Sequence, residues 1–144
     1  MKLSKVLVPV VGRKIDDDAL QSAFTLARPH KARIYVIYVI EVPRTRPLDD
    51  EMESEIEKGE RYLEHAEKLA SAAGSKVETE LLQAREVGPA IVDEAVERGV
   101  DAIVLGIGSK KRFGEYALGP TTNYVLRNAP CAVIVYREPL QDHE

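Results

Sequence analysis

The stretch VGPAIVDEAVERGVDAIVLGIG, Val87 to Gly108, sets a helix and a strand back to back. Its first part, Val87–Arg98, reads as a helix with Gly88-Pro89 in the first turn, where a proline displaces no hydrogen bond. Its second part, Asp101–Gly108, is a nearly continuous apolar run closed by glycines. A strand with one wet face alternates polar and apolar residues, and this one does not. It is the pattern of a strand covered on both faces, as in a parallel sheet between helices.

The same unit recurs in both directions. Lys5–Val11 (KVLVPVV), Ala32–Ile40 (ARIYVIYVI) and Cys131–Tyr136 (CAVIVY) are further runs rich in Val, Ile and Tyr. Lys76–Ala84 alternates at first and suits a strand nearer a sheet edge. Between them, Ala19, Leu20, Ala23, Phe24 and Ala27 repeat at helical spacing, with Asp16 expected as the N-cap. A long charged helix is predicted over Asp50–Ala73, its apolar stripe drawn from Met52, Ile56, Leu63, Ala66, Ala70 and Ala73 and its end capped by Gly74 in a left-handed conformation. A fourth helix runs from near Pro120 to before Pro130. The order β-α-β-α-β-α-β-α-β demands crossovers, so the fold class is α/β: an open five-stranded parallel sheet with helices on both faces, in one domain over 1–144. The segment EVPRTRPLDDE is the longest connection and is expected to be mobile.

Composition narrows the function. At 144 residues, with 44% hydrophobic and 31% charged residues, the chain has the balance of a soluble globular domain. No apolar run is long enough for a bilayer, so no membrane insertion is expected. The opening apolar stretch is too short for a secretory signal and reads as a strand. Cys131 is the single cysteine, which leaves no internal disulfide and favours the cytoplasm; it enters an apolar strand, where a buried, inert thiol is expected. A net charge of −4 argues against nucleic-acid binding.

Catalytic signals are missing, so the chain is not read as an enzyme. His30 falls in a loop, His65 on the charged helix and His143 in the terminal tail, and none stands with a nucleophile and an orienting group. No spacing of His, Asp and Glu resembles a metal motif. The run Asp16–Asp18 is read as negative charge at a helix N-terminus in preference to a cation site.

The stretch that points to a ligand is GIGSKKRFGEYALGPTTNY, Gly106–Tyr124. It leaves the carboxyl end of a central strand, where ligands settle in open α/β sheets. It offers glycines for close approach, the cations Lys110, Lys111 and Arg112, the hydroxyls of Thr121 and Thr122, and a helix N-terminus. Together these suggest an anion site. It is neither a P-loop nor a dinucleotide fingerprint, since no Gly-Lys-Ser/Thr opens the helix and Lys111 stands where the last glycine is needed.

Taken in order, KVLVPVVGRKIDDDALQSAFTLA, YVIYVIEVP, GPAIVDEAVERGVDAIVLG and LGPTTNYVLRNAPCAVIVY resemble the universal stress proteins over nearly the whole chain. The resemblance implies strand order 3-2-1-4-5 in the Rossmann-like, adenine nucleotide alpha hydrolase-like manner, a role in stress response, and a homodimer through the last strand, Cys131–Tyr136. One branch of that family binds ATP through G-x2-G-x9-G-(S/T) with an acidic residue closing the first strand. Here Gly106 and Gly119 match, Ser109 replaces the second glycine, Pro120 replaces the Ser/Thr, and Val11 stands at the acidic position. The implied ligand is ATP, ADP or AMP. Phosphate would lie on Gly106, Gly108, Ser109, Lys110, Gly119, Thr121 and Thr122, and the base by Pro9, Val10, Val11 and Val39. The alternative is a dimeric interaction protein of the same fold that binds no nucleotide.

Overall fold

The structure is a computed structural model that describes residues 2–108, 111–112, 115–116 and 118–139. Along the chain lie β1 (Lys5–Pro9), α1 (Lys14–Ala27), a 3-10 turn (Arg28–His30), β2 (Arg33–Glu41), α2 (Glu53–Ala72), β3 (Val77–Ala84), α3 (Val87–Arg98), β4 (Ala102–Ile107), β5 (Lys111–Arg112), β6 (Glu115–Tyr116), α4 (Pro120–Asn128) and β7 (Ala132–Arg137). Five parallel strands form the sheet in the order β3-β2-β1-β4-β7, which is 3-2-1-4-5 when only its own strands are counted. The antiparallel ribbon β5–β6, within the loop after β4, has no counterpart in the sequence-based expectation.

Side-chain parity along the strands divides the core. Val6, Val8 and Val10, Val36 and Tyr38, and Ala102 and Val104 face α1 and α2, where Leu20, Phe24, Leu63 and Ala66 close over them. Leu7, Ile37, Val39, Ile103 and Leu105 face α3 and α4, where Ile91, Val92 and Val125 pack. Both faces of the central strands are therefore dry, which is why their sequences do not alternate.

The β1–β4 junction shapes one end of the sheet. β1 pairs with β2 along Lys5–Pro9 but with β4 only at Val6 and Leu7. Past Leu7 the two strands part, and a crevice opens at their carboxyl ends. At the opposite end the strands are tied, with Asp101 Oδ2 accepting the N–H groups of Ser4 (2.6 Å) and Lys5 (2.9 Å). These bonds hold the Asp101 carboxyl below the ordinary aspartate range.

Three local expectations change. β1 ends at Pro9, not Val11, because its β4 partner has already left. The N-cap of α1 is Arg13, and Asp16 is the third residue inside the helix, reaching back to the cap. The 42–52 connection is tied to the edge strand: Arg85 Nη1 donates to the carbonyls of Pro43 (2.7 Å) and Arg46 (2.8 Å), and Gln83 Nε2 to those of Leu48 (2.8 Å) and Asp50 (3.0 Å). Loop carbonyls without a strand partner need donors, and long side chains at the end of β3 supply them. Gly74 caps α2 as expected, with φ 72° and Ser75 N–H donating to the Ala70 carbonyl at 2.8 Å.

Candidate functional site

The crevice at the carboxyl ends of β1 and β4 is the topological switch point of the sheet, where strand order reverses. A cavity of about 200 Å³ lies there on the α3/α4 face. Pro9, Val10 and Val11 line it from the end of β1, Val39 from β2 and Leu105 from β4. Val87 and Ile91, one helical turn apart on α3, form another wall, and Thr121 from the first turn of α4 and Arg13 from the β1–α1 loop supply its polar side chains.

The expected base-side residues, Pro9, Val10, Val11 and Val39, thus come together in one cavity, and Thr121 joins them. The phosphate-side residues do not all follow. Gly108 lies just past β4, Gly119 is the N-cap of α4 and Thr122 is in its first turn, yet none of them lines the cavity. Gly106 does not line the cavity either. It is buried within β4 on the α1 face, where a Cβ would stand 3.2 Å from the Ile15 carbonyl and 3.3 Å from Ala19 Cβ. Parity puts its missing side chain on the side away from the cavity, and the glycine makes room for a helix. Gly106, Gly108 and Gly119 all have φ outside the left-handed region, so none serves as a positive-φ turn. Ser109 and Lys110 lie outside the described residues, as do the side chains of Lys111 and Arg112, and His143.

Arg13, Val87, Ile91 and Leu105 also line the cavity, and sequence reasoning misses them. A helix start placed at Asp16 leaves Arg13 in an uninformative loop. In the structure the loop is organised around Asp16, which is 3% exposed. One carboxylate oxygen accepts the N–H groups of Val11 (2.8 Å), Gly12 (3.0 Å) and Arg13 (3.1 Å). The other accepts Arg13 Nη2 at 2.9 Å, and the same nitrogen donates to the Gly106 carbonyl at 2.7 Å. The first of the three aspartates is thus the buried centre of a partly exposed polar cluster that links the β1–α1 loop to β4.

Asp17 meets His65 Nε2 at 3.1 Å on the surface, beside a second cleft of about 370 Å³ that Arg13 also borders. Cys131 is half-buried at the start of β7, and burial pushes its thiol up, away from the reactive thiolate. Among the described residues, no three His, Cys, Asp or Glu side chains are grouped to hold a metal ion, and no helix is long and apolar enough to cross a membrane.

The model of the universal stress protein family matches residues 2–137. The chain belongs to that family. Similar members include universal stress protein MJ0531 of Methanocaldococcus jannaschii, 29% identical over 96% of this chain and 84% of that protein, and universal stress protein YxiE of Bacillus subtilis, 29% identical over 93% and 99%. Among solved structures, the universal stress protein of Archaeoglobus fulgidus in complex with dAMP superposes with a TM-score of 0.74 at 26% identity, covering 94% of this chain and 98% of that one. The departures at Val11, Ser109 and Pro120 are therefore substitutions within a universal stress protein.

Proposed function

We propose that this universal stress protein is a nucleotide-binding regulatory module, with an adenine nucleotide seated at the switch point. One observation carries the reading: the cavity between β1, β2, β4 and α3 has apolar walls suited to a base, and among the described residues its polar side chains are Arg13 and Thr121. A related universal stress protein is known in complex with dAMP. At about 200 Å³ the cavity is smaller than the roughly 300–1,000 Å³ of a site that encloses a drug-sized ligand. It would enclose the base beside Pro9, Val11 and Val39, and the phosphate would lie outside, over Gly108, Gly119, Thr121 and Thr122 with Ser109 and Lys110. Pro120 is tolerable there, because it sits in the first turn of α4, where its missing N–H has no helical partner to lose. The role is binding, in the cytoplasm, where an unpaired cysteine is at home.

The test is mass spectrometry of protein purified without added nucleotide, followed by calorimetric titration with ATP, ADP and AMP. Gly119→Val is the diagnostic variant. Its φ of −71° and ψ of 166° suit any residue, and a Cβ there meets nothing within 4 Å among the described residues, so the fold should be unchanged. Affinity should fall about tenfold or more as the side chain crowds the phosphate path. Unchanged affinity would remove Gly119 from the site.

We further propose that β7 pairs with the β7 of a second copy. It is an edge strand, and Val135 on it is 37% exposed. Val135→Glu should lower the mass in solution from dimer to monomer; a dimer that persists would refute that edge. A protein that binds no nucleotide yet remains a dimer would favour the second reading, an interaction module of this fold.

A further inference from the structure

We infer that Arg13 decides what this site accepts: it holds an anionic oxygen of the ligand at the crevice between β1 and β4, so that the site takes a phosphate monoester on a flat apolar group and discriminates against the uncharged counterpart. The inference rests on the nucleotide reading only for the identity of the flat group.

Where β1 leaves β4 after Leu7, the carbonyl of Gly106 has no β1 residue opposite it. Arg13 Nη2 takes that place at 2.7 Å, and its second contact is Asp16 Oδ1 at 2.9 Å. The guanidinium is thus anchored through one nitrogen. Its Nε–H and Nη1 hydrogens have no partner among the described residues, and the side chain is 47% exposed. With both Nη2 hydrogens used, the Nε–H and the Nη1 hydrogens point to different sides of the guanidinium, and each is available to donate a single charge-assisted hydrogen bond to an anionic oxygen such as that of a phosphoryl group.

Asp16 does not cancel this charge. Its other oxygen already accepts three backbone N–H groups, so its negative charge is spread over four donors. Among the described residues, Arg13 is the only charged side chain lining the cavity, and the walls beside it, such as Val11, Val39 and Leu105, are apolar. A ligand anion therefore has one strong partner, in surroundings that weaken competition from water. The position where the ATP-binding branch has an acid is Val11, which borders the same cavity. Among the described residues, the cavity lining therefore carries a cation and no carboxylate.

The experiment titrates AMP and adenosine separately into the wild type, Arg13→Gln and Arg13→Lys. The wild type should bind AMP about tenfold or more tighter than adenosine. Arg13→Gln should weaken AMP by about that factor and leave adenosine within about twofold, bringing the ratio near one, and Arg13→Lys should fall between. Thermal unfolding and circular dichroism check that each variant is folded. Val39→Trp, which fills the cavity from β2, should abolish binding of both ligands. The inference is overturned if Arg13→Gln binds AMP like the wild type, if it weakens AMP and adenosine equally, or if AMP still binds Val39→Trp, which would place the ligand in the cleft on the other side of the loop. Should the wild type bind neither nucleotide nor nucleoside, the nucleotide reading fails by itself, and phenyl phosphate becomes the probe. Binding of phenyl phosphate that Arg13→Gln removes would uphold the role of Arg13, and no binding would end it.

Discussion

Asp16→Ala is expected to lower the stability of the protein by about 3 kcal/mol. The carboxylate is buried and receives four donors, three from the backbone of residues 11–13 and one from the Arg13 side chain. A hydrogen bond to a charged acceptor contributes roughly 1.5–3 kcal/mol, and several donors sharing one oxygen do not add in full. Val11 is half-exposed and Gly12 and Arg13 are exposed, so water recovers part of the loss. Denaturant titration should show the midpoint falling at constant slope. Asp16→Asn keeps one oxygen for the backbone donors but turns an NH2 toward another donor, so it should fall between the wild type and Asp16→Ala. A loss below about 1 kcal/mol for Asp16→Ala would mean that water substitutes for the carboxylate and that the loop holds itself.

Gly12→Ala is expected to lower stability by about 2–4 kcal/mol, for two separable reasons. Gly12 has φ 86°, a conformation in which a side chain costs about 1 kcal/mol. A Cβ there would also stand 2.2 Å from Cζ of Tyr62. On one side the Tyr62 ring packs against Tyr38, with centroids 5.7 Å apart, so it can yield only toward the cleft that it lines. The overlap adds about 1–3 kcal/mol. A double-mutant cycle separates the two contributions. In a Tyr62→Ala background the overlap is gone, and Gly12→Ala should cost only about 1 kcal/mol. Equal costs in both backgrounds would show that the ring yields freely and that backbone strain alone makes Gly12 necessary.

These two residues mark the boundary of what is legible in the sequence. The continuous apolar runs of β1, β2 and β4 are legible because each strand is covered on both faces, and burial of both parities leaves an unmistakable composition. The span of α3 and the glycine cap of α2 are legible because helix ends have local chemistry. The base-side residues Pro9, Val10, Val11 and Val39 are legible through the family resemblance, and the cavity unites them. Gly106 is legible as a glycine but not as a contact. Its parity with Val104 puts it on the α1 face, where the need is room for Ile15 and Ala19.

Arg13 and Asp16 are not legible in the same way. An aspartate near a helix start satisfies the local rule for an N-cap, and the true start lies two residues upstream of Asp16 because the carboxylate reaches backward to three backbone donors. Arg13 acquires meaning only from the Gly106 carbonyl, 93 residues away, which is free because β1 has parted from β4. The sequence by itself determined the alternation of elements, the parallel sheet and the family, since these follow from hydrophobic periodicity and local chemistry repeated along the chain. Only the tertiary structure decided which glycine packs against a helix, which aspartate is buried and which arginine stands at the switch point, because hydrogen bonds and close packing depend on distances between residues far apart in sequence.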